Sequence, residues 1–176
     1  FFQRFNGTWT NQTICDLSNH PLAATRSRLV DNCELFLSSS NKVIGIYQKL
    51  LDPSVEWKSS YFQLEVDASG QTTETPIPLD MDDINRIRLI EHQGILYYLC
   101  IKYNGLFIKK GLDGSLKEIN LPSFVSGNYM YLSNSSGGSS INSNYIDILL
   151  LNGNAQDYPN GTNHYVRINK CELEKL

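Results

Sequence analysis

No apolar stretch in this sequence approaches the roughly 20 residues that a membrane-crossing helix needs. The longest, Ile95 to Ile101, has the length of one strand, so no membrane span is expected. Catalytic signatures are missing as well. There is no Gly-x-Ser-x-Gly, no His-Glu-x-x-His and no phosphate loop, since the Gly137-Gly138 pair lies in a serine-rich run without a lysine. Histidine is scarce, and His20, His92 and His164 stand far apart, which suits surface or cap positions better than a general base. No C-x-x-C spacing is present to suggest a zinc site. The acidic run Asp80-Met81-Asp82-Asp83 lacks the spacing and turn glycine of a calcium loop and reads as a solvated turn. A net charge of −3 leaves no basic field for nucleic acid. No enzyme, metal or nucleic-acid reading follows from the residues.

What the chain does contain is an ordinary globular composition over 176 residues, 41% hydrophobic and 19% charged, which fits one domain spanning 1–176. Helical periodicity is scarce and Asn, Gly, Ser and Asp recur as punctuation. An all-β chain of short antiparallel strands is therefore expected. The strands predicted are 7–17, 30–37, 42–51, 55–66, 71–79, 86–90, 94–110 as a hairpin, 115–119, 128–132, 145–151 and 164–173. A turn or two of helix is predicted over 18–28, after Pro21. Pro76 and Pro78 suit an edge strand, and a bulge is expected near Ser59-Ser60. In the hairpin, Asn104-Gly105 reads as a two-residue turn, and both faces of its first strand are apolar, so that strand is covered on both sides or borders a cavity. The segments 126–144 and 152–163, rich in Asn, Ser, Gly and Tyr, read as long loops.

Four cysteines, Cys15, Cys33, Cys100 and Cys171, allow three pairings. Cys15 with Cys33 and Cys100 with Cys171 is the favoured reading, with four free thiols as the alternative. The second bridge would close a loop of roughly 70 residues, worth on the order of 4 kcal/mol in the chain-entropy model. Sequons stand at Asn6, Asn11, Asn134 and Asn160. With 17 Asn and 26 Ser plus Thr, chance alone would give roughly two or three. Cysteines and sequons together point to a secreted, glycosylated chain, and the Phe1-Phe2 start reads as processed or trimmed.

The run Asn6-Gly7-Thr8-Trp9 resembles the Gly-x-Trp that opens the lipocalin and wider calycin families, although the Thr-Asp-Tyr motif of lipocalins is absent. The resemblance implies an antiparallel up-and-down β-barrel with Trp9 at its closed end, Arg167 packed across it, and Cys171 tied back to the wall. It implies no required cofactor, but a bound lipid, pigment or other small hydrophobic ligand in the interior. Tyr47, Phe62, Tyr97, Leu99, Ile101 and Phe107 are the candidate lining, or the filling of a closed core. The longer run Gly7-Thr8-Trp9-Thr10-Asn11-Gln12 is also similar to the opening of T-type bilin lyases, whose Pro-Tyr-Arg-Gln motif is absent. From the residues alone comes a second expectation of a different class: an extracellular domain whose Asn/Ser/Gly/Tyr-rich loops contact a protein partner. In the opening stretch, Trp9 is expected buried, Asn11 outward and Cys15 bridged.

Overall fold

The computed structural model describes residues 2–5, 8–12, 30–50, 59–79, 84–102, 105–120, 129–132, 144–152 and 162–176. They are almost entirely antiparallel β. The strands are β1 (Phe2–Phe5), β2 (Trp9–Gln12), β3 (Val30–Leu37), β4 (Val43–Leu50), β5 (Ser59–Val66), β6 (Thr72–Pro76), β7 (Ile84–His92), β8 (Ile95–Lys102), β9 (Gly105–Lys110), β10 (Leu116–Glu118), β11 (Tyr129–Leu132), β12 (Tyr145–Asn152) and β13 (Thr162–Asn169). A short 3₁₀ helix, Lys170–Lys175, follows β13.

The expected antiparallel β chain is present, but among the described residues no closed barrel is found. The strands divide into a β1-β2 hairpin, two four-stranded meanders (sheet I, β3 to β6; sheet II, β7 to β10) and a three-stranded sheet III, β11 to β13. The sheets stack face to face. One face of sheet I, with Ile44, Ile46, Tyr61 and Ile77, packs on Ile87, Leu89, Tyr98 and Cys100 of sheet II. The opposite face of sheet II, with Ile90, Tyr97, Leu99, Ile101, Leu106 and Ile108, packs on Ile146, Ile148 and Leu150 of sheet III. Strand β8 is thus covered on both sides, which is why its two faces are both apolar. Each fully buried side chain of this kind contributes about 1.5–3 kcal/mol. The inner strands β3 and β7, and β7 and β11, run beside one another, so the three sheets spread from a common inner line.

Local chemistry explains the turns. Gln93 and Gly94, at φ 52° and 74°, join β7 to β8 in a two-residue turn with positive φ at both positions, the geometry that follows strand twist. Between β5 and β6, Asp67 accepts from the Ser69 and Gln71 N–H groups at 2.9 Å each, while Gly70 takes φ 87°. The β8–β9 turn differs from its expected place. Lys102 pairs with Gly105, so the connection lies at 103–104 and Gly105 belongs to β9.

The ends of the chain also differ from expectation. Phe5 pairs with Trp9, so β2 begins at Trp9; of the strand expected over 7–17, the described part is Trp9–Gln12, and 13–17 lie outside the described residues. The closing strand stops at Asn169, whose side chain accepts the Cys171 N–H at 3.0 Å and starts the 3₁₀ helix. That helix lays Leu173 into the cluster between sheets II and III, and Glu174 accepts from Gln93 at 2.8 Å. The helix expected at 18–28 falls outside the described residues.

Candidate functional site

The surface with most recognition chemistry is the outer face of sheet III, and strand alternation builds it. Along β12, Ile146, Ile148 and Leu150 point into the core, so Tyr145, Asp147 and Leu149 point out. On β13, Arg167 stands opposite Asp147 and Tyr165 opposite Leu149. Tyr145, Leu149 and Tyr165 are 42%, 41% and 61% exposed, so three large side chains with apolar bodies share one open face.

Their polar ends are organised. Arg167 donates from Nε to Asp147 Oδ1 at 2.6 Å and from Nη2 to Oδ2 at 3.3 Å, a two-point fork onto one carboxylate. Tyr165 donates its hydroxyl to the same Oδ1 at 2.6 Å. The guanidinium lies 5.1 Å from the Tyr145 ring centre and 5.8 Å from that of Tyr165. The Arg167 and Tyr165 hydrogen bonds hold the Asp147 carboxyl below its ordinary range, and that carboxylate in turn raises the Tyr165 phenol. The face is therefore electrically balanced, aromatic and fixed in geometry. It can stack on, and hydrogen-bond to, a partner surface.

A second polar group lies along the inner strands. Glu34 of β3 is 3.8 Å from Arg88 Nη1 of β7 and accepts the Leu89 N–H, while Glu91 accepts the Ser39 N–H at 2.8 Å and the Ser39 hydroxyl. Tyr98 donates to Gln63 between sheets I and II. These bonds tie one sheet to the next, and each side chain has a partner within the protein.

The residues expected to line one interior occupy three places. Tyr97, Leu99 and Ile101 are buried together between sheets II and III, against Ile146, Ile148 and Leu150. Phe107, on the opposite face of sheet II, packs with the cluster between sheets I and II. Tyr47 and Phe62 stack at 6.0 Å on the far face of sheet I, with Lys49 Nζ 4.1 Å above the Phe62 ring centre. Arg167, expected across Trp9, is on the open face of sheet III with Asp147. The proposed Cys100–Cys171 bridge is corrected: both thiols are free, Cys100 buried in β8 and Cys171 exposed on the 3₁₀ helix. The pairing failed because β8 sits in the middle of sheet II, walled off on both faces, whereas position 171 has already left the sheet.

The side chains of Trp9, Asn11 and Cys33, and the whole of Asn6, Cys15, Asn134 and Asn160, lie outside the described residues. So do most of the long loops 126–144 and 152–163. Among the described residues no group of three His, Cys, Asp or Glu is placed to hold a metal ion, and no helix is long and apolar enough to cross a membrane.

Sequence reading named Arg167 only as a residue packed across Trp9, and it missed Tyr145, Asp147, Leu149 and Tyr165. The signal was the alternation in YIDILLL, where the inward Ile-Ile-Leu series leaves Tyr145, Asp147 and Leu149 on the other face. What it lacked was the register that sets Asp147 against Arg167. No family model, curated protein or solved structure matches the chain.

Proposed function

We propose that the chain is an extracellular recognition domain that uses the outer face of sheet III to bind another macromolecule. The observation that carries this reading is the Tyr145–Arg167–Tyr165 group, with Leu149 beside it, exposed on sheet III, with Arg167 and Tyr165 bonded to the Asp147 carboxylate. Tyrosine and arginine combine apolar area with directional polar tips and lose little freedom on binding when already fixed, as they are here. The Asn/Ser/Gly-rich runs 133–143 and 153–161 stand in sequence between β11 and β12 and between β12 and β13. Their composition is adaptable in hydrogen bonding. The four sequons and the absence of a catalytic signature fit a secreted, glycosylated binding module.

A barrel holding a small apolar ligand, the expectation from the lipocalin resemblance, draws less support. Its candidate lining is shared among three clusters, and the largest of these is filled by side chains of the next sheet. Sheets that repeat around a common inner line are the alternative by which antiparallel proteins solve the same packing problem.

The test is a screen of extracellular proteins and glycans by biolayer interferometry with the wild-type chain and with the double variant Tyr165→Ala/Arg167→Ala. Expected is a ligand whose signal is lost in the double variant while circular dichroism and thermal midpoint hold. Ligands bound equally by both proteins reject this face. Displacement of a fluorescent fatty-acid probe by wild type, unaffected by the double variant, would favour the small-ligand reading.

A further inference from the structure

Sheets I and II each have four strands in meander order, whereas sheet III has three and ends at β13. Exposed strand edges are sites of pairing with another chain, and proteins usually blunt them. The outer edge of sheet I is blunted, since β6 has only 5 residues and ends at Pro76. That of sheet II is blunted too, since β10 has 3 residues. By contrast β13 has 8 residues, no proline, and an unbroken register with β12. Among the described residues no strand pairs with its outer edge.

The bond pattern shows which groups are offered there. Lys170 N–H donates to Asn144 at 2.9 Å, which makes 144 with 170 a hydrogen-bonded pair and, by alternation, 146 with 168, 148 with 166 and 150 with 164. The N–H and C=O groups of residues 163, 165, 167 and 169 therefore point away from β12. They form a ladder half waiting for an antiparallel strand.

We propose that β13 pairs edge to edge with β13 of a second copy, about a two-fold axis through Val166. This register joins 165 of one copy to 167 of the other and 163 to 169, so all the outward groups are used. It is self-complementary, as a two-fold contact must be. On the outer face the exposed Tyr165 lies against the Arg167 of the second copy, and the reverse contact forms at the same time. On the inner face Val166 meets Val166 and His164 meets Ile168, side chains that are only half-buried in one copy. A register two residues further along would set Arg167 against Arg167, which like-charge repulsion disfavours. The product is a six-stranded sheet, β11-β12-β13-β13-β12-β11, with the two aromatic faces continuous. It stands whether or not that face binds a further partner.

Sedimentation velocity on the full chain over a concentration series tests this. Wild type should dimerise reversibly. Tyr165→Pro deletes an outward donor without touching the β12 ladder, and Tyr165→Arg sets like charges in opposition across the axis. Each change acts twice in the dimer, so each should raise the dissociation constant by about tenfold or more. Leu37→Ala, an exposed residue of β3 in sheet I, should leave the constant unchanged. Circular dichroism and thermal midpoints confirm folding; if the proline variant does not fold, Tyr165→Arg, exposed and next to Asp147, decides alone. A wild-type chain that stays monomeric up to about 1 mM, a dimer indifferent to Tyr165→Arg, or one broken by Leu37→Ala instead, overturns the proposal.

Discussion

Glu34 Oε2 on β3 accepts the backbone N–H of Leu89 on β7 at 3.1 Å, joining the inner strands of two different sheets through one carboxylate. Burial dominates its environment and pushes the carboxyl from its ordinary 4.5 up to about 7, against the opposing pull of Arg88 and of the Leu89 bond. Its position along the inner line means that protonation at this one oxygen pair is felt by both sheets.

A raised acid binds its proton more tightly in the folded chain than in the unfolded one. Glu34 therefore lends most stability below about pH 4.5, and that contribution is lost as pH rises through about 7. The difference amounts to about 3 kcal/mol at most. Urea midpoints of wild type should fall between pH 5 and pH 8, and Glu34→Gln, which keeps the shape without a titrating proton, should flatten that fall. Equal slopes in the two proteins would remove Glu34 as its source.

Tyr98 donates to the buried Gln63 amide oxygen across the sheet I–sheet II interface, and Gln63 in turn donates to Glu65 at 2.8 Å. Tyr98→Phe keeps the ring in the core but leaves that oxygen without its donor. The expected cost is about 1–3 kcal/mol, read as a lower urea midpoint with an unchanged slope. No loss of stability would show that the amide finds another donor.

Individual strands were legible in the sequence because alternation and turn residues are local. The pair Tyr145–Ile146 through Leu149–Leu150 alternates as a half-buried strand should, and Pro76 marked an edge correctly. How strands group into sheets was not legible, since that depends on which apolar faces meet. Leu99 and Tyr98 are both wholly buried, and nothing in LYYLC says that one faces Ile148 of sheet III and the other the Ile46 side of sheet I. Six aromatic and aliphatic residues thus looked like one lining although they belong to three packing layers. The surface group on sheet III was hidden for the same reason: Asp147 and Arg167 are 20 positions apart, and only the β12–β13 register brings them together.

Cys100 and Cys171 should differ sharply as thiols. Burial pushes the Cys100 thiol up to about 12, and its Sγ donates weakly to the Tyr98 carbonyl at 3.7 Å, so at neutral pH it is neither ionised nor accessible. Cys171 is exposed on the 3₁₀ helix. Alkylation of the native chain, mapped by peptide mass, should label Cys171 at once and Cys100 only after denaturation. Recovery of a Cys100–Cys171 crosslinked peptide without reductant would contradict the free thiols.

Gly105 opens β9 directly after the turn, where glycine is usually chosen for positive φ, yet it is not among the positive-φ glycines of the described residues, which are Gly70, Gly94 and Gly111. Its reason is space. A Cβ at this position would lie 2.7 Å from Cε2 and 3.1 Å from Cζ of the Phe107 ring. That ring packs against the cluster between sheets I and II and carries Lys102 Nζ 5.8 Å from its centre, so it has little freedom to withdraw. Gly105→Ala should then cost about 1–3 kcal/mol through overpacking, even though the backbone conformation itself accepts alanine. If the ring is the obstacle, the cost must depend on it. In a double-mutant cycle with Phe107→Leu, the second substitution should remove most of the penalty of the first, with a coupling of about 1 kcal/mol or more. Additive losses would mean that the strand backbone, not the ring, excludes a side chain at 105.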